Sequence, residues 1–152
     1  MVRHFIILLL AIPAFAAPPT AGEVSCDKGV DIAKVQALVK RTASALKKDR
    51  DKVVQEINHG DPQWKDGDYY VFVFQGTRAV AHGLLPSTVN RDAGSIAWVR
   101  ELQRVAMEKG EGCVQYHFMN PSKEGQVEDK VSYAVKVNDT MWAGSGTYLM
   151  RK

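Results

Sequence analysis

The sequence has little of what small catalytic and metal-binding proteins concentrate. Its 152 residues hold two cysteines and four histidines, with no Cys-x-x-Cys or His-x-x-x-His spacing, so a zinc or haem site has no ligand cluster to start from. Gly-x-Ser-x-Gly is missing; Ser145 lies in Gly144-Ser145-Gly146, a strand flanked by glycines rather than a strand-to-helix elbow. No phosphate loop, dinucleotide fingerprint or calcium loop is present, and no cofactor is implied. Charge of one sign is not concentrated anywhere: 20 Lys and Arg are interspersed with 17 Asp and Glu, for a formal net charge of +3. Nucleic-acid binding, which needs clustered cations, is thereby excluded. Beyond the N-terminus there is no long hydrophobic run, no internal repeat and no low-complexity segment.

What is present fits one folded domain, with 45% hydrophobic and 24% charged residues. Arg3 and His4 precede an apolar stretch from Phe5 that carries Pro13 and ends in Ala14-Phe15-Ala16. The uninterrupted run is shorter than the roughly 20 residues that span a bilayer. Residues 1–17 therefore read as a secretory signal peptide, with a retained anchor as the alternative. Residues 18–29 read as a linker and 30–152 as the domain, periplasmic or secreted, with no membrane span after signal cleavage. Glu23, just ahead of Cys26, argues against lipidation there. In an oxidising compartment the pair Cys26 and Cys113 favours one disulfide, two buried free thiols being the alternative.

Ile32, Val35, Val39, Thr42 and Leu46 recur at helical spacing, predicting an amphipathic helix over Asp31 to Lys48. A shorter helix is predicted from Lys52 to Asn58, stopped by His59-Gly60-Asp61-Pro62. Tyr69 to Phe74 reads as a central strand, with Tyr70, Phe72 and Phe74 on one face and Val71 and Val73 on the other. Arg78 to His82 returns as a hairpin, and Ser95 is the expected N-cap of a helix ending at Lys109 before Gly110. Three more strands follow, around Cys113 to Met119, Lys130 to Val137 and Thr140 to Leu149. The predicted class is α+β: five mostly antiparallel strands with helices packed on the sheet.

The chemistry this leaves is a sheet face of polar-tipped aromatics, Tyr70, Tyr116, Tyr133 and Trp142, with His82 and Lys130 at strand ends. One reading is packing, each hydroxyl finding a single partner, with Lys130 a solvated cation. The other is a pocket in which hydroxyls, an imidazole and an ammonium converge on a small acid or amine, the ammonium suiting a carboxylate.

Glu56-Ile57-Asn58, Trp64-Lys65-Asp66-Gly67-Asp68-Tyr69-Tyr70-Val71-Phe72-Val73, Ala81-His82, Gly110-Glu111-Gly112, Tyr116-His117-Phe118-Met119-Asn120-Pro121, Lys130-Val131-Ser132-Tyr133 and Gly144-Ser145-Gly146-Thr147-Tyr148 run in order along the chain. As a set they resemble the single Cache domain, type 2, of bacterial extracytoplasmic sensors. The resemblance implies a PAS-like sheet with a long N-terminal helix and a pocket on one face for a small metabolite, often a short organic acid. It places Tyr70 and Phe72 on the pocket wall, His82 on an Ala-His motif, Tyr116 and Phe118 on an aromatic-x-aromatic strand, and Lys130 and Tyr133 on a Lys-x-x-Tyr motif. Strict alternation puts Lys130 and Tyr133 on opposite faces unless a bulge intervenes. The sequence departs from the family at Gly83, where proline is common, and at Phe118, where tryptophan is. The loop from Gly83 to Gly94 also lacks the family's usual Gly-Lys-Asn and Asp-x-Asp-Gly stretch.

The expectation is a non-enzymatic binder of a small carboxylate, free of its own membrane helix and handing its signal to a membrane receptor or transporter. Lys130 and His82 would supply charge, Tyr70, Tyr116 and Tyr133 hydroxyls, and Phe72, Trp98 and Phe118 an apolar wall. Two alternatives stand beside it: an interaction module whose sheet face is filled by its own side chains, and a small hydrolase or lyase using His82 or His117 as base.

Overall fold

The computed structural model describes residues 21–149; the expected signal peptide, 1–17, lies outside them. Helix α1 (Ile32–Lys48) buries Val35, Val39, Thr42 and Leu46 of the stripe that the spacing predicts, together with Leu38 and Ala43, while Ile32 is only partly buried; the helix ends on Lys47 and Lys48 at the negative end of its dipole. Helix α2 (Arg50–Asn58) starts two residues before the apolar pattern does, because the Asp49 side chain caps it, accepting from the Lys52 N–H at 3.2 Å. Helix α3 (Ala97–Lys109) buries Val99, Leu102, Val105 and Ala106 and ends at Gly110, whose φ of 84° suits a residue without a Cβ. Ser95 is not its cap: Ile96 occupies that position, and no side chain caps the helix.

The strands are β1 (Gly22–Val24), β2 (Lys65–Asp66), β3 (Tyr69–Tyr70), β4 (Phe72–Gln75), β5 (Arg78–His82), β6 (Glu111–Asn120), β7 (Gln126–Lys136) and β8 (Met141–Tyr148). Six of them form one antiparallel sheet in the order β1-β6-β7-β8-β4-β5, while β2 and β3 make a separate small hairpin. The α+β class holds, with the main sheet one strand larger than the sequence pattern shows and β2 also outside that pattern. The extra strand is β1, inside the stretch that reads as linker; three residues are too few for an alternation to be seen. The run from Tyr69 to Phe74 is also split between two sheets: Tyr69 and Tyr70 pair with β2, whereas Phe72 to Gln75 pair with β5 and β8.

Side-chain alternation divides the core into two layers. Val71, Val73, Val131, Tyr133 and Ala143 face α1 and α2, while Phe72, Phe74, Val114, Tyr116 and Trp142 face α3. A Cys26–Cys113 disulfide, with Cα atoms 5.3 Å apart, ties the end of β1 to β6 just where Val24 pairs with Cys113.

The linked cysteines are separated by 87 residues in sequence. Closing a loop of that length removes enough denatured-state entropy for about 4 kcal/mol of stabilisation. Replacing both by serine is expected to lower the unfolding free energy by about that amount in urea titrations, and an unchanged midpoint would show that the β1 clamp contributes nothing.

Candidate functional site

The site is organised around β7. Glu128, Lys130, Ser132 and Ala134 share the face turned to the α3 layer, and Val131 and Tyr133 point the other way. Lys130 is 1% exposed and sits mid-ladder, between Tyr116 on β6 and Tyr148 on β8. Its Nζ donates to the Tyr70 hydroxyl at 3.0 Å and lies 4.8 Å from the ring centres of Tyr70 and Phe118 and 5.3 Å from that of Tyr148. A neutral hydroxyl and three π faces therefore surround this ammonium. Burial pushes its pKa down to about 7, since low-polarity surroundings penalise the charged form.

His82 closes β5 beside it. Its Nδ1 accepts from the backbone N–H groups of Leu84 at 3.2 Å and Leu85 at 2.9 Å, which assigns the proton of the neutral ring to Nε2. Burial, and then the charge of Lys130, lower its pKa to about 4, so the imidazole is neutral at pH 7. The ring packs against Tyr70 and Phe72 at centroid distances of 5.3 and 6.1 Å, and Asn58 Oδ1 holds the His82 N–H at 3.0 Å.

The apolar wall comes from three elements. Trp98 of α3 stacks on Tyr116 at 4.9 Å and meets Phe72 and Phe118 edge-on at 5.9 and 5.7 Å. The Tyr116 hydroxyl shares a 2.8 Å hydrogen bond with Ser132. Burial raises the pKa of Tyr70 and Tyr116 well above the ordinary phenol value, leaving both as neutral hydroxyls. Room for this cluster depends on Gly144 and Gly146 of β8. A Cβ on Gly146 would collide with Ser132 Oγ and stand 2.7 Å from Lys130 Cε, and one on Gly144 would enter the Phe72 ring.

A cleft of about 420 Å³ opens at this end of the sheet, bordered by Tyr70, Tyr148, Gly146, Asn120, Lys123 and Glu128 among others. Glu128 is 5% exposed and accepts from Asn120 Nδ2 at 2.6 Å and Lys123 Nζ at 2.8 Å.

Seven of the eight residues expected from the sequence thus come together: Tyr70, Phe72, His82, Trp98, Tyr116, Phe118 and Lys130. Tyr133 does not. No bulge interrupts β7 between it and Lys130, so it packs on the α1 side and its hydroxyl donates to Glu111. The reading of Lys130 as a solvated strand-end cation fails as well, because β7 begins four residues earlier, at Gln126. His117, the other candidate base, lies on the far face of β6, half exposed, with Nδ1 2.7 Å from Asp129 Oδ1. Glu128, Ser132 and Tyr148 were not anticipated. Strand parity could have found Ser132 and Glu128, which follow and precede Lys130 by two residues.

Residues 30–150 match the family described as single Cache domain 2. The chain belongs to the single Cache domain 2 family. Two solved structures share the fold. One, described as "Periplasmic sensor domain of chemotaxis protein", is 19% identical with a TM-score of 0.59, over 78% of this chain and 90% of that one. The other, described as "Structural basis for carboxylic acid recognition by a Cache chemosensory domain", is 18% identical with a TM-score of 0.58, over 78% of this chain and 92% of that one. No curated protein matches the chain. As a Cache domain it is an extracytoplasmic ligand-binding sensor module rather than an enzyme. Among the described residues no group of His, Cys, Asp and Glu is arranged to hold a metal ion, and no helix is long and apolar enough to cross a membrane.

Gly146→Ala is expected to destabilise the Cache domain by about 1 to 3 kcal/mol through overpacking, measurable by urea unfolding; a neutral result would mean that the Lys130 stem is free to move aside. The pH response of His82 is a second test. Its folded pKa of about 4 lies below the ordinary 6.5, so the unfolded chain binds the extra proton, and stability present above pH 6.5 is lost as pH falls towards 4. The loss at pH 4 is about 3 kcal/mol. His82→Asn keeps an acceptor for the two N–H groups but cannot titrate. It should therefore flatten the stability profile in that window, and an unaltered profile would place the titration elsewhere.

Proposed function

We propose that the protein is the ligand-recognising component of a chemosensory system, and that the Lys130 site takes the carboxylate of a short organic acid. The observation that carries this is a fully buried ammonium whose hydrogen-bond acceptor is a neutral hydroxyl. Removing such a charge from water costs several kcal/mol unless an anion and further hydrogen bonds compensate. A ligand carboxylate replaces the Tyr70 oxygen as acceptor from Nζ, and the displaced Tyr70 hydroxyl turns its proton to the ligand. His82 Nε2–H supplies a neutral donor that adds no second charge to bury. Phe72, Trp98 and Phe118 hold the hydrocarbon part and exclude water, which strengthens the ion pair. The fold shared with a Cache domain described for carboxylic acid recognition supports the same class. The partner that receives the signal is proposed to be a membrane receptor or transporter.

Propionate at one hundred times its dissociation constant should stabilise the protein by about 2.7 kcal/mol, seen as a raised melting temperature. Binding should weaken as pH rises above about 7, because Lys130 loses its proton there. Lys130→Met is expected to abolish the response and to raise the stability of the ligand-free protein, since an apolar side chain of similar length has no charge to bury. Loss of stability with retained propionate binding would give Lys130 a structural role and remove the carboxylate site.

A further inference from the structure

Glu128 is not used by the carboxylate reading, yet it is placed to act on the same ligand. It lies two residues before Lys130 on the same face of β7, about 7 Å along the strand at the usual rise. Like Lys130 it is buried, at 5% exposure. It borders the cleft together with Tyr70 and Tyr148, the two rings that also contact the Lys130 ammonium. One face of one strand thus presents a buried cation and a buried anion side by side.

The two charges differ in how they are satisfied. Asn120 reaches one Glu128 oxygen from β6, and Lys123 reaches the other from the turn Pro121–Lys123. The Lys123 side chain is 58% exposed while that of Glu128 is 6% exposed. Its ammonium is therefore backed by solvent and can withdraw to water, provided that another cation takes its place on the buried carboxylate. Lys123 is a cation that another cation can replace without leaving the carboxylate uncompensated.

We propose that the ligand is a small zwitterionic amino acid, its carboxylate on Lys130 and its ammonium on Glu128 in the place of Lys123. This rests on the carboxylate reading and narrows it. A zwitterion bridges the two charges with a hydrogen bond at each end and brings no net charge into the sheet. A simple monocarboxylate leaves Glu128 with Lys123 and gains only the Lys130 half. A dicarboxylate directs its second anion at Glu128, and like charges that close in a buried site repel. Glu128 is thus the specificity-determining residue. Exchange at Lys123 also frees the turn Pro121–Lys123 from β7, a movement at the rim of the cleft that a partner can read.

The test is calorimetric titration of the purified protein with L-alanine, propionate and succinate. A charge-assisted hydrogen bond makes L-alanine about tenfold or more tighter than propionate, with succinate weaker than both. Glu128→Gln should bring L-alanine and propionate to similar affinities while leaving propionate binding intact. Lys123→Ala, at an exposed position, removes the competing cation and should tighten L-alanine alone. Propionate binding as well as or better than L-alanine overturns the zwitterion inference and leaves the carboxylate reading standing, as does tight succinate binding. An L-alanine preference that survives Glu128→Gln, or is unmoved by Lys123→Ala, overturns the role of Glu128. If Glu128→Gln does not fold, the Lys123→Ala titration decides. Absence of binding by all three acids overturns both readings.

Discussion

A lysine ammonium held in the middle of an antiparallel sheet is the constraint around which the rest of this domain is arranged. Strand neighbours ordinarily place a side chain of that length against Cβ atoms on both sides. Here Gly146 on β8 leaves the stem a channel, and the Cβ it lacks would have touched both Lys130 and Ser132. The head is then met by ring faces rather than by water, and π faces attract a cation without requiring it to be neutralised. Such contacts offset part of the desolvation cost, and burial still lowers the Lys130 pKa. An anion at this ammonium, as proposed above, would offset the remainder.

The two-layer core is what makes that burial affordable. On the α1 side the sheet carries Val71, Val131 and Ala143 against a long aliphatic helix stripe, an apolar layer with little chemistry in it. That layer supplies stability independent of the site, so the α3 side can carry hydroxyls, an imidazole and charges. Tyr133 marks the boundary. It belongs to the same Lys-x-x-Tyr stretch as Lys130, yet three residues along an unbroken strand reverse the face, and its hydroxyl serves Glu111 instead of the pocket. The N-terminal strand and its disulfide reinforce the β6 edge, against which the Tyr116 and Phe118 side of the site is built.

Much of this was legible in the sequence, for identifiable reasons. Long periodic segments such as Ile32–Lys48 and residues 130–137 declare their type, and parity along the second puts Lys130 and Tyr133 on opposite faces. What escaped was set by single contacts. Strand β1 exists because a disulfide and a neighbouring edge hold three residues that carry no pattern of their own. The break at Val71 marks a change of partner, from β2 for Tyr69 and Tyr70 to β5 and β8 for Phe72 to Gln75, which no residue pattern announces. The burial of Lys130 was hidden because Gln126 to Asp129 is polar and reads as loop, although it continues the ladder opposite Asn120 to His117. Glu128 was overlooked for the same reason, an acidic residue in an apparently exposed approach.

The pairing of a buried cation with a neutral imidazole has a consequence for selectivity among acids. Were His82 charged, the site would hold two positive charges and favour ligands of higher negative charge. The two backbone N–H groups on Nδ1 forbid protonation there, and proximity to Lys130 opposes it further. The imidazole therefore remains a directional donor, and the proposed ligand would bring one unit of anionic charge to Lys130. A negative Glu128 two residues away sets the charge balance at the other end. In the proposed site, fold and backbone would thus decide the sign and number of charges accepted, and Phe72, Trp98 and Phe118 would limit only the size of the ligand.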